Sequence, residues 1–314
     1  MEKLSIIVSV YNEEAGIRRF YEVCAGVLAS LSVSYEYEII FINDGSSDKS
    51  GEILRDFADR DREHVRVIEF SKNFGHEAAM TAGLDYALGD ILIFLDSDLQ
   101  HPPRLIPEIV EKMEAGADII NMVRTKNSTA GLIKNITSGG FYALINLMSD
   151  IKLEPSASDF FALRKEVAEV LRHSYREKVR FLRGYVQNVG FKKETIEFEA
   201  PPRVAGKSHY SIKKLFRFSI DTILCFSNMP LKLGIYAGLF SGFLGLLLIV
   251  YTLLTRQGAP SGYATIIIVL CFMFAMLFVI LGIIGEYIAI LFAELKDRPI
   301  YIVRDIYEGK KEDR

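Results

Sequence analysis

Tryptophan is absent from this chain of 314 residues, and its only cysteines are Cys24, Cys225 and Cys271. These cysteines follow no metal-ligand spacing, so a zinc site is disfavoured. Two of the three lie in the apolar C-terminal third, which favours a reduced, cytosolic environment without disulfides. The net charge of −3 offers no basic surface, so no nucleic-acid partner is expected. Met1-Glu2-Lys3 leads directly into a strand-like run, and we expect no signal peptide.

Two sequence signatures of nucleotide-binding proteins are also missing. No GxGxxG pattern follows the first predicted strand, and the chain has no GxxxxGK[ST] phosphate loop. A dinucleotide-dependent oxidoreductase and a P-loop enzyme are therefore disfavoured.

Charged residues are missing from two stretches of 23 residues, Leu233–Thr255 and Tyr263–Gly285. Each is long enough to cross a hydrocarbon layer of roughly 30 Å as a helix. Lysine and arginine flank the pair on its outer sides, and the loop between the stretches contains only Arg256. The positive-inside rule then predicts a multi-pass protein of the inner (cytoplasmic) membrane, in contact with membrane lipids, whose N-terminal domain and C-terminus are cytoplasmic.

The first two thirds of the chain alternate apolar, β-favouring runs with segments of helical periodicity. The predicted strands are Leu4–Val10, Tyr37–Ile42, Val65–Phe70, Asp90–Leu95, Asp118–Val123, Phe160–Leu163 and an antiparallel edge strand at Gly190–Glu199. This rhythm predicts an α/β fold with a Rossmann-like, mostly parallel sheet. The predicted domains are a cytosolic domain (1–210), an interfacial amphipathic helix (211–230), transmembrane helices (231–255 and 263–293), their extracytoplasmic loop (256–262) and a cytosolic tail (294–314).

The segment Ser211–Ser227 places apolar residues on one helical face and basic residues on the other. Next to a hydrophobic span, this pattern predicts a helix lying in the membrane interface. The alternative is an ordinary surface helix packed on the core.

Polar side chains follow each of the first four predicted strands, at the point where the strand ends. They are found in Tyr11-Asn12-Glu13, Asn43-Asp44-Gly45-Ser46, Ser71-Lys72-Asn73-Phe74-Gly75 and Asp96-Ser97-Asp98 with Gln100. Because open α/β sheets bind ligands at the carboxyl ends of their strands, these side chains predict one site.

Asp96 and Asp98 end an apolar run that is predicted to be buried on both faces. Two carboxylates this close repel each other, so a cation is expected between them, and oxygen ligands suit Mg²⁺ or Mn²⁺ with phosphate oxygens completing the coordination. The alternative for so short a pattern is a solvated acidic turn. His76 and His101 lie near this site in sequence, and we expect them to form hydrogen bonds rather than to bind zinc.

Several segments together resemble family 2 glycosyltransferases of GT-A fold: Val10-Tyr11-Asn12-Glu13-Glu14, Asn43–Asp48, the Asn73/Gly75/Gly83/Gly89-Asp90 spacing and Asp96–Pro103. Others resemble more narrowly the bacterial polyprenyl-phosphate glycosyltransferases, relatives of dolichyl-phosphate mannose synthase: Ser158–Leu163, Arg203–Tyr210, the two-helix tail and Arg298–Val303. Asn43 departs from the family pattern, since many relatives have a second aspartate there.

The resemblance implies inverting, metal-dependent transfer of a hexose from a UDP-sugar to polyprenyl (undecaprenyl) phosphate, for glycosylation of the cell envelope. It implies nucleotide-sugar binding by Tyr11, Glu13, Asp44, Asn73, Asp96 and Gln100, and binding of Mg²⁺ or Mn²⁺ by Asp96, Asp98 and Gln100. It implies lipid-phosphate binding by Arg203, Lys207, Arg124 and Ser208, and catalytic roles for Asp159, Asp98 and Arg203. A flippase and a membrane glycosyltransferase would act downstream.

The role of Asp159 stays open at this point. Many inverting relatives have a carboxylate base there, but a phosphate monoester acceptor is largely ionised at neutral pH and needs little deprotonation. Asp159 is then expected to orient acceptor or sugar hydroxyls, and a third interpretation makes it a cap of the local turn.

Alternatives to this function also remain. The donor sugar is glucose by first expectation and N-acetylglucosamine by second, with mannose and galactose open. A lipid hydroxyl acceptor and a non-catalytic membrane sensor of nucleotide-sugars are the other hypotheses; a processive polysaccharide synthase is disfavoured because the chain has no tryptophan for a QxxRW motif. The stretch Leu233–Leu247 contains four glycines that permit close helix packing within or between chains: Gly234, Gly238, Gly242 and Gly245. A homo-oligomer is therefore one of the hypotheses.

Overall fold

The computed structural model describes residues 1–125, 154, 157–178, 180–201, 229–254 and 262–309. These residues fall into two compact units, one within 1–201 and 299–309 and the other within 229–298. The predicted interfacial helix and most of the loop at 256–262 lie outside the described residues, and so do Arg203, Lys207 and Ser208.

The first unit is an α/β domain. Its strands are β1 (Lys3–Val10), β2 (Glu36–Asn43), β3 (Val65–Phe70), β4 (Ile91–Asp96), β5 (Ile119–Arg124), β6 (Ala157–Arg164), β7 (Lys193–Phe198) and β8 (Val303–Tyr307). Its helices are α1 (Ile17–Leu31), α2 (Ser50–Arg60), α3 (His76–Tyr86), α4 (Ile106–Glu114), α5 (Lys165–Ser174) and α6 (Leu182–Asn188), with a 3-10 turn at Pro103–Leu105.

The strands form one sheet in the order β7-β5-β6-β4-β1-β2-β3-β8. Neighbours β4, β1, β2 and β3 are parallel, whereas β6 is antiparallel to both β4 and β5, and β8 is antiparallel to β3. The predicted α/β fold class is therefore confirmed. The insertion of β6 between β4 and β5 brings the start of β6 to the edge where β4 ends.

The predicted direction of the seventh strand is wrong. β7 lies at the edge of the sheet as expected, but it pairs parallel with β5, from Ile119 opposite Lys193 to Arg124 opposite Phe198. Alternating apolar and polar residues report that one face of a strand is exposed, and a strand of either direction can be half exposed. The sequence pattern therefore carried no information on direction.

The centre of the sheet is buried on both faces, which explains the continuous apolar runs in β1 and β4. Helices α1, α2 and α4 pack on one face, and α3 and α5 belong to the other. Helix α3 lies so close to β1 that a Cβ added to Gly83 would be 2.1 Å from Cγ2 of Ile7. This close approach sets the N-terminus of α3 against the end of β1.

The C-terminal residues return to the first unit as β8, which the sequence analysis did not predict. The amide of Ser71 donates to the carbonyl of Ile302 at 3.0 Å, and the ring of Tyr301 stacks on Phe70 at 5.1 Å. The Tyr301 hydroxyl donates to Asp85 Oδ2 at 2.7 Å. The tail thus covers the β3 edge, which would otherwise present unpaired backbone groups.

The second unit consists of α7 (Met229–Leu254) and α8 (Tyr263–Leu295), which pack against each other. Within them, Met229–Leu247 and Phe272–Leu295 have mean hydropathies of 1.4 and 2.4 and are long and apolar enough to cross a membrane. Ser241 Oγ donates to Met276 Sδ at 2.7 Å, which ties the two helices together. The spans predicted at 231–255 and 263–293 fall on these helices, and their domain boundaries stay a prediction.

Two substitutions at Tyr301 test the contribution of the tail to stability. Tyr301→Phe keeps the ring stacking but removes the hydrogen bond to Asp85, so it should cost about 1 kcal/mol. Tyr301→Ala removes both, and should cost about 3 kcal/mol. Denaturant unfolding of the purified protein measures both values, and equal effects below about 0.5 kcal/mol would show that the tail does not support the domain.

Candidate active site

Three neighbouring strands place a row of polar residues at one edge of the sheet. Ser9 near the end of β1 pairs with Asp96 at the end of β4. Phe94 pairs with Phe161 across the antiparallel β4 and β6, and continuing this register by two residues sets Asp96 opposite Asp159. The structure therefore brings together two carboxylates that are 63 positions apart in the sequence.

A tight turn follows β4 and carries the second aspartate of the acidic pair. Leu99 has a φ of 62°, in the left-handed region, and the amide of Gln100 donates to Asp98 Oδ1 at 3.0 Å. Asp96, Asp98 and Gln100 are each partly exposed. These side chains offer oxygen atoms at the end of a buried strand, so their chemistry fits a hard divalent cation.

His76 connects three members of the edge. It is the first residue of α3, and its Nδ1 lies 3.0 Å from Ser9 Oγ. Its Nε2 lies 3.6 Å from Asp159 Oδ2 and 3.8 Å from Asp96 Oδ1. Burial disfavours the protonated ring, but Asp159 and Asp96 outweigh burial and raise the pKa of His76 to about 10. A cationic ring at this position offsets part of the carboxylate charge.

Asp159 is held between two cationic groups. Arg183 Nη1 lies 3.3 Å from Oδ1 of Asp159, while His76 approaches Oδ2. Burial alone would raise the pKa of Asp159, but Arg183 and then His76 outweigh burial and hold that pKa below its usual range. Asp159 is thus an ionised carboxylate with a weak tendency to accept a proton.

Glu77, the residue after His76, anchors α6 beside the edge. The amide of Leu182 donates to Glu77 Oε2 at 2.8 Å. Burial, and next the charge of Asp159, raise the pKa of Glu77 to about 7. His76, Glu77 and Arg183 are site residues to which the sequence analysis assigned no catalytic or binding role. The only sequence signal was the position of His76 and Glu77 after a predicted strand end.

His101 and Arg124 form a second support for Asp96. The ring of His101 is fully buried, and burial lowers its pKa, so it is neutral. The amide of Asp96 donates to His101 Nδ1 at 3.0 Å, and Arg124 Nη2 lies 3.1 Å from His101 Nε2. The structure therefore places Arg124 beside the acidic turn, and both histidines form hydrogen bonds with site residues, as predicted.

Asp44 fastens the loop after β3 to the loop after β2. Its Oδ1 accepts from the amide of Phe74 at 2.6 Å, and its Oδ2 accepts from the amide of Gly75 and from Asn73 Nδ2, each at 2.9 Å. The two loops touch so closely that a Cβ on Gly45, whose φ is 65°, would lie 2.4 Å from the carbonyl carbon of Lys72. Burial raises the pKa of Asp44, and the two amides oppose that shift.

The loop after β1 joins the same cluster. The amide of Glu13 donates to Ser50 Oγ at 2.9 Å, and the amide of Asn12 donates to Ser46 Oγ at 3.0 Å. The Tyr11 side chain next to them is 40% exposed. The predicted residues Tyr11, Glu13, Asp44 and Asn73 therefore lie on loops that contact one another. They adjoin the edge that carries Asp96, Asp98, Gln100, Arg124 and Asp159.

Comparison with known proteins assigns this arrangement to a family. Residues 5–172 match the family described as Glycosyl transferase family 2, and residues 229–291 match that described as GtrB C-terminal hairpin. A solved structure, glucosyl-3-phosphoglycerate synthase from Mycobacterium tuberculosis, overlaps 71% of this chain and 78% of its own, with 16% identity and a TM-score of 0.47.

Two relatives span nearly the whole chain. Uncharacterized glycosyltransferase YkcC of Bacillus subtilis is 40% identical over 306 residues, which cover 96% of this chain and 94% of that protein. The SfII prophage-derived bactoprenol glucosyl transferase of Shigella flexneri is 36% identical over 312 residues, which cover 98% and 99%. The resemblance drawn from the motifs is confirmed: the chain is a glycosyltransferase and belongs to glycosyl transferase family 2.

Proposed function

We propose that this enzyme transfers a hexose, glucose before other sugars, from a UDP-sugar to polyprenyl (undecaprenyl) phosphate. The observation that carries the proposal is the similarity over 98% of the chain to a protein named bactoprenol glucosyl transferase. The acidic edge of the first unit supports it, because nucleotide diphosphates are commonly bound through a divalent cation held by carboxylates.

The donor side of the site would be formed by the loops after β1, β2 and β3. Tyr11, Glu13 and Asp44 would hold the uridine, and Asn73 would belong to the nucleotide-sugar site. The exposed ring of Tyr11 can stack on a base, whereas Asp44 uses both carboxylate oxygens to fasten residues 73–75. We therefore propose that Asp44 shapes the uridine pocket by holding this loop in place.

Asp96 and Asp98 would hold Mg²⁺ or Mn²⁺, with Gln100 beside them and Asp96 also near the ribose. Among the described residues, no group of three or more His, Cys, Asp and Glu side chains is arranged to hold a metal. Diphosphate oxygens would therefore complete the coordination. When bound, the cation would neutralise the negative charge that develops on the departing UDP.

The acceptor phosphate would act as the nucleophile without help from a base, because its second pKa is about 6 and it is largely ionised at neutral pH. A phosphate oxygen would attack the anomeric carbon on the side opposite UDP. The new carbon–oxygen bond forms as the bond to UDP breaks, the electron pair leaves on the diphosphate, and the configuration inverts. No proton has to be removed, and Asp159, weakly basic between Arg183 and His76, would orient the acceptor or the sugar hydroxyls.

The lipid phosphate would be bound by Arg203, Lys207, Arg124 and Ser208. Arginine grips phosphate oxygens with a planar fork and lysine adds a point charge, so Arg203 would contribute more than Lys207. Of these four residues the structure describes only Arg124, whose Nε is buried and has no hydrogen-bond partner among the described residues.

The apolar helices α7 and α8 would anchor the enzyme in the inner membrane, with residues 1–210 and 294–314 in the cytoplasm. The product would then be made at the cytoplasmic face, so a flippase and a membrane glycosyltransferase would have to act on it next. The glycines of α7 would permit a homo-oligomer. The candidate donor sugars are similar: glucose, mannose and galactose differ in the orientation of a hydroxyl group, and N-acetylglucosamine carries an acetamido group in place of one. A lipid hydroxyl acceptor and a sensor role are the competing functions that the tests below address.

A donor screen tests the proposed reaction. The purified full-length protein should transfer glucose from UDP-glucose to undecaprenyl phosphate in the presence of Mn²⁺ or Mg²⁺, measured as lipid-linked radioactive sugar. Asp98→Asn should lose at least about 100-fold in kcat, while Asp118→Asn, far from the acidic edge at the start of β5, should keep normal activity. Transfer from another UDP- or GDP-sugar would change the donor, and tight UDP binding without turnover would favour the sensor.

Asp159→Asn tests the orienting role. Because the acceptor needs no deprotonation, kcat should fall by only about tenfold, whereas loss of an obligate general base costs about 100-fold to 10,000-fold. Initial rates at saturating UDP-glucose and undecaprenyl phosphate give this value. A loss beyond about 100-fold would contradict the orienting role and leave a phosphate and a hydroxyl acceptor both open.

Arg203→Ala tests the acceptor site. The apparent affinity for undecaprenyl phosphate should fall by about tenfold or more, because a charge-assisted contact with phosphate is lost. The KM for UDP-glucose should stay constant, since the uridine loops lie elsewhere in the chain. An unchanged affinity for undecaprenyl phosphate would remove Arg203 from the site.

A further inference from the structure

We propose that Arg183 is a positioning residue for sugar transfer: it fixes the Asp159 carboxylate and offsets its charge where the acceptor phosphate has to arrive. The inference rests on the proposed function, since it assumes a phosphate acceptor. It assigns a role to α6, which neither the motifs nor the family resemblance singled out.

The guanidinium of Arg183 holds the first residues of β6. Its Nη1 donates to the carbonyl of Ala157 at 2.9 Å and lies 3.3 Å from Asp159 Oδ1. The side chain of Arg183 is only 16% exposed, and that of Asp159 is 28% exposed. One planar group thus contacts both the backbone and the carboxylate of the same strand end, the backbone through a hydrogen bond and the carboxylate through an ion pair.

Arg183 is itself held in place from both ends of its helix. At the start of α6, the amide of Leu182 donates to Glu77 Oε2 at 2.8 Å. Near the end of α6, Gln187 Oε1 accepts from the amide of Glu154 at 2.7 Å. Because Glu77 follows His76 in α3, this hydrogen bond joins α6, which carries Arg183, to α3, which carries the His76 ring beside Asp159.

The negative charges at this edge explain how Arg183 would contribute to acceptor binding. Asp96, Asp98 and Asp159 bring negative charge to one strand edge, and a phosphate monoester adds nearly two more negative charges. A divalent cation would offset the two residues of the acidic turn and the donor diphosphate, but Asp159 lies on another strand. Arg183 Nη1 lies 3.3 Å from Oδ1 of Asp159 and so gives this carboxylate a cationic partner. The acceptor can then approach without facing an unpaired carboxylate.

Arg164 provides a matched control on the same strand. At the opposite end of β6, its Nη2 donates to the carbonyl of Met113 at 2.7 Å and its Nη1 lies 3.3 Å from Glu2 Oε1. Arg164 therefore combines a backbone contact with a carboxylate contact, as Arg183 does, but it lies far along the strand from the acidic edge.

The test compares Arg183→Gln, Arg183→Lys and Arg164→Gln in the full-length enzyme, with UDP-glucose and undecaprenyl phosphate as probes. Arg183→Gln should raise the KM for undecaprenyl phosphate by about tenfold, because Asp159 then repels the phosphate. The KM for UDP-glucose should change less than about twofold, and Arg183→Lys should recover part of the loss. Adding Asp159→Asn to Arg183→Gln should lower the acceptor KM again, since it removes the uncompensated charge.

A purely structural role of Arg183 predicts different results. Arg183→Gln would then lower the melting temperature and raise both KM values together, and adding Asp159→Asn would not lower the acceptor KM. This pattern would overturn the inference, and so would equal kinetics of Arg183→Gln and Arg164→Gln. Should Arg183→Gln fail to fold, the charge-retaining Arg183→Lys decides: an acceptor KM raised together with the donor KM would overturn it. A wild-type enzyme that transfers no sugar to undecaprenyl phosphate would overturn the proposed function and this inference with it.

Discussion

Repulsion between carboxylates at the end of a buried sheet is the constraint on which the rest of this active site depends. Asp96 and Asp159 face each other across adjacent strands, and Asp98 follows in the next turn. Water is partly excluded there, so each negative charge needs a partner. The chain supplies His76 and Arg183 as partners, and it leaves the partly exposed acidic turn suited to a divalent cation. The arrangement compensates negative charge at this edge of the sheet with the side chains of His76 and Arg183.

The strand order of the sheet places these groups at one edge. An antiparallel β6, inserted between β4 and β5, brings the beginning of one strand to the edge where the others end. Asp159 therefore reaches the acidic turn although it lies at the beginning of its strand, and α6 can set Arg183 against it. The loops after β1, β2 and β3 are placed differently, since these three parallel strands end at the same edge and Asp44 holds two of their loops in contact.

The tail and the helices α7 and α8 extend this domain in different ways. β8 pairs antiparallel with β3, next to the loop that Asp44 fastens. The residues just before β8 add the stacking of Tyr301 on Phe70 and the hydrogen bond from the Ser71 amide to the Ile302 carbonyl. Helices α7 and α8 are apolar along their length and expose that surface, as helices do when lipid rather than a protein core surrounds them. By length and composition, both helices could cross a membrane.

The sequence by itself determined the α/β class, the strand ends that carry Tyr11, Asp44 and Asp96, the two apolar spans and the family. These features are local: apolar periodicity reports burial, and motifs such as Asp96-Ser97-Asp98 are contiguous. Only the tertiary structure decided the direction of β7, the return of β8 and the meeting of His76, Asp159 and Arg183. A parallel and an antiparallel edge strand show the same alternation of apolar and polar residues, so the pattern does not reveal direction. His76, Asp159 and Arg183 lie on three different elements, and they meet through strand register and helix packing, which no single stretch of sequence encodes.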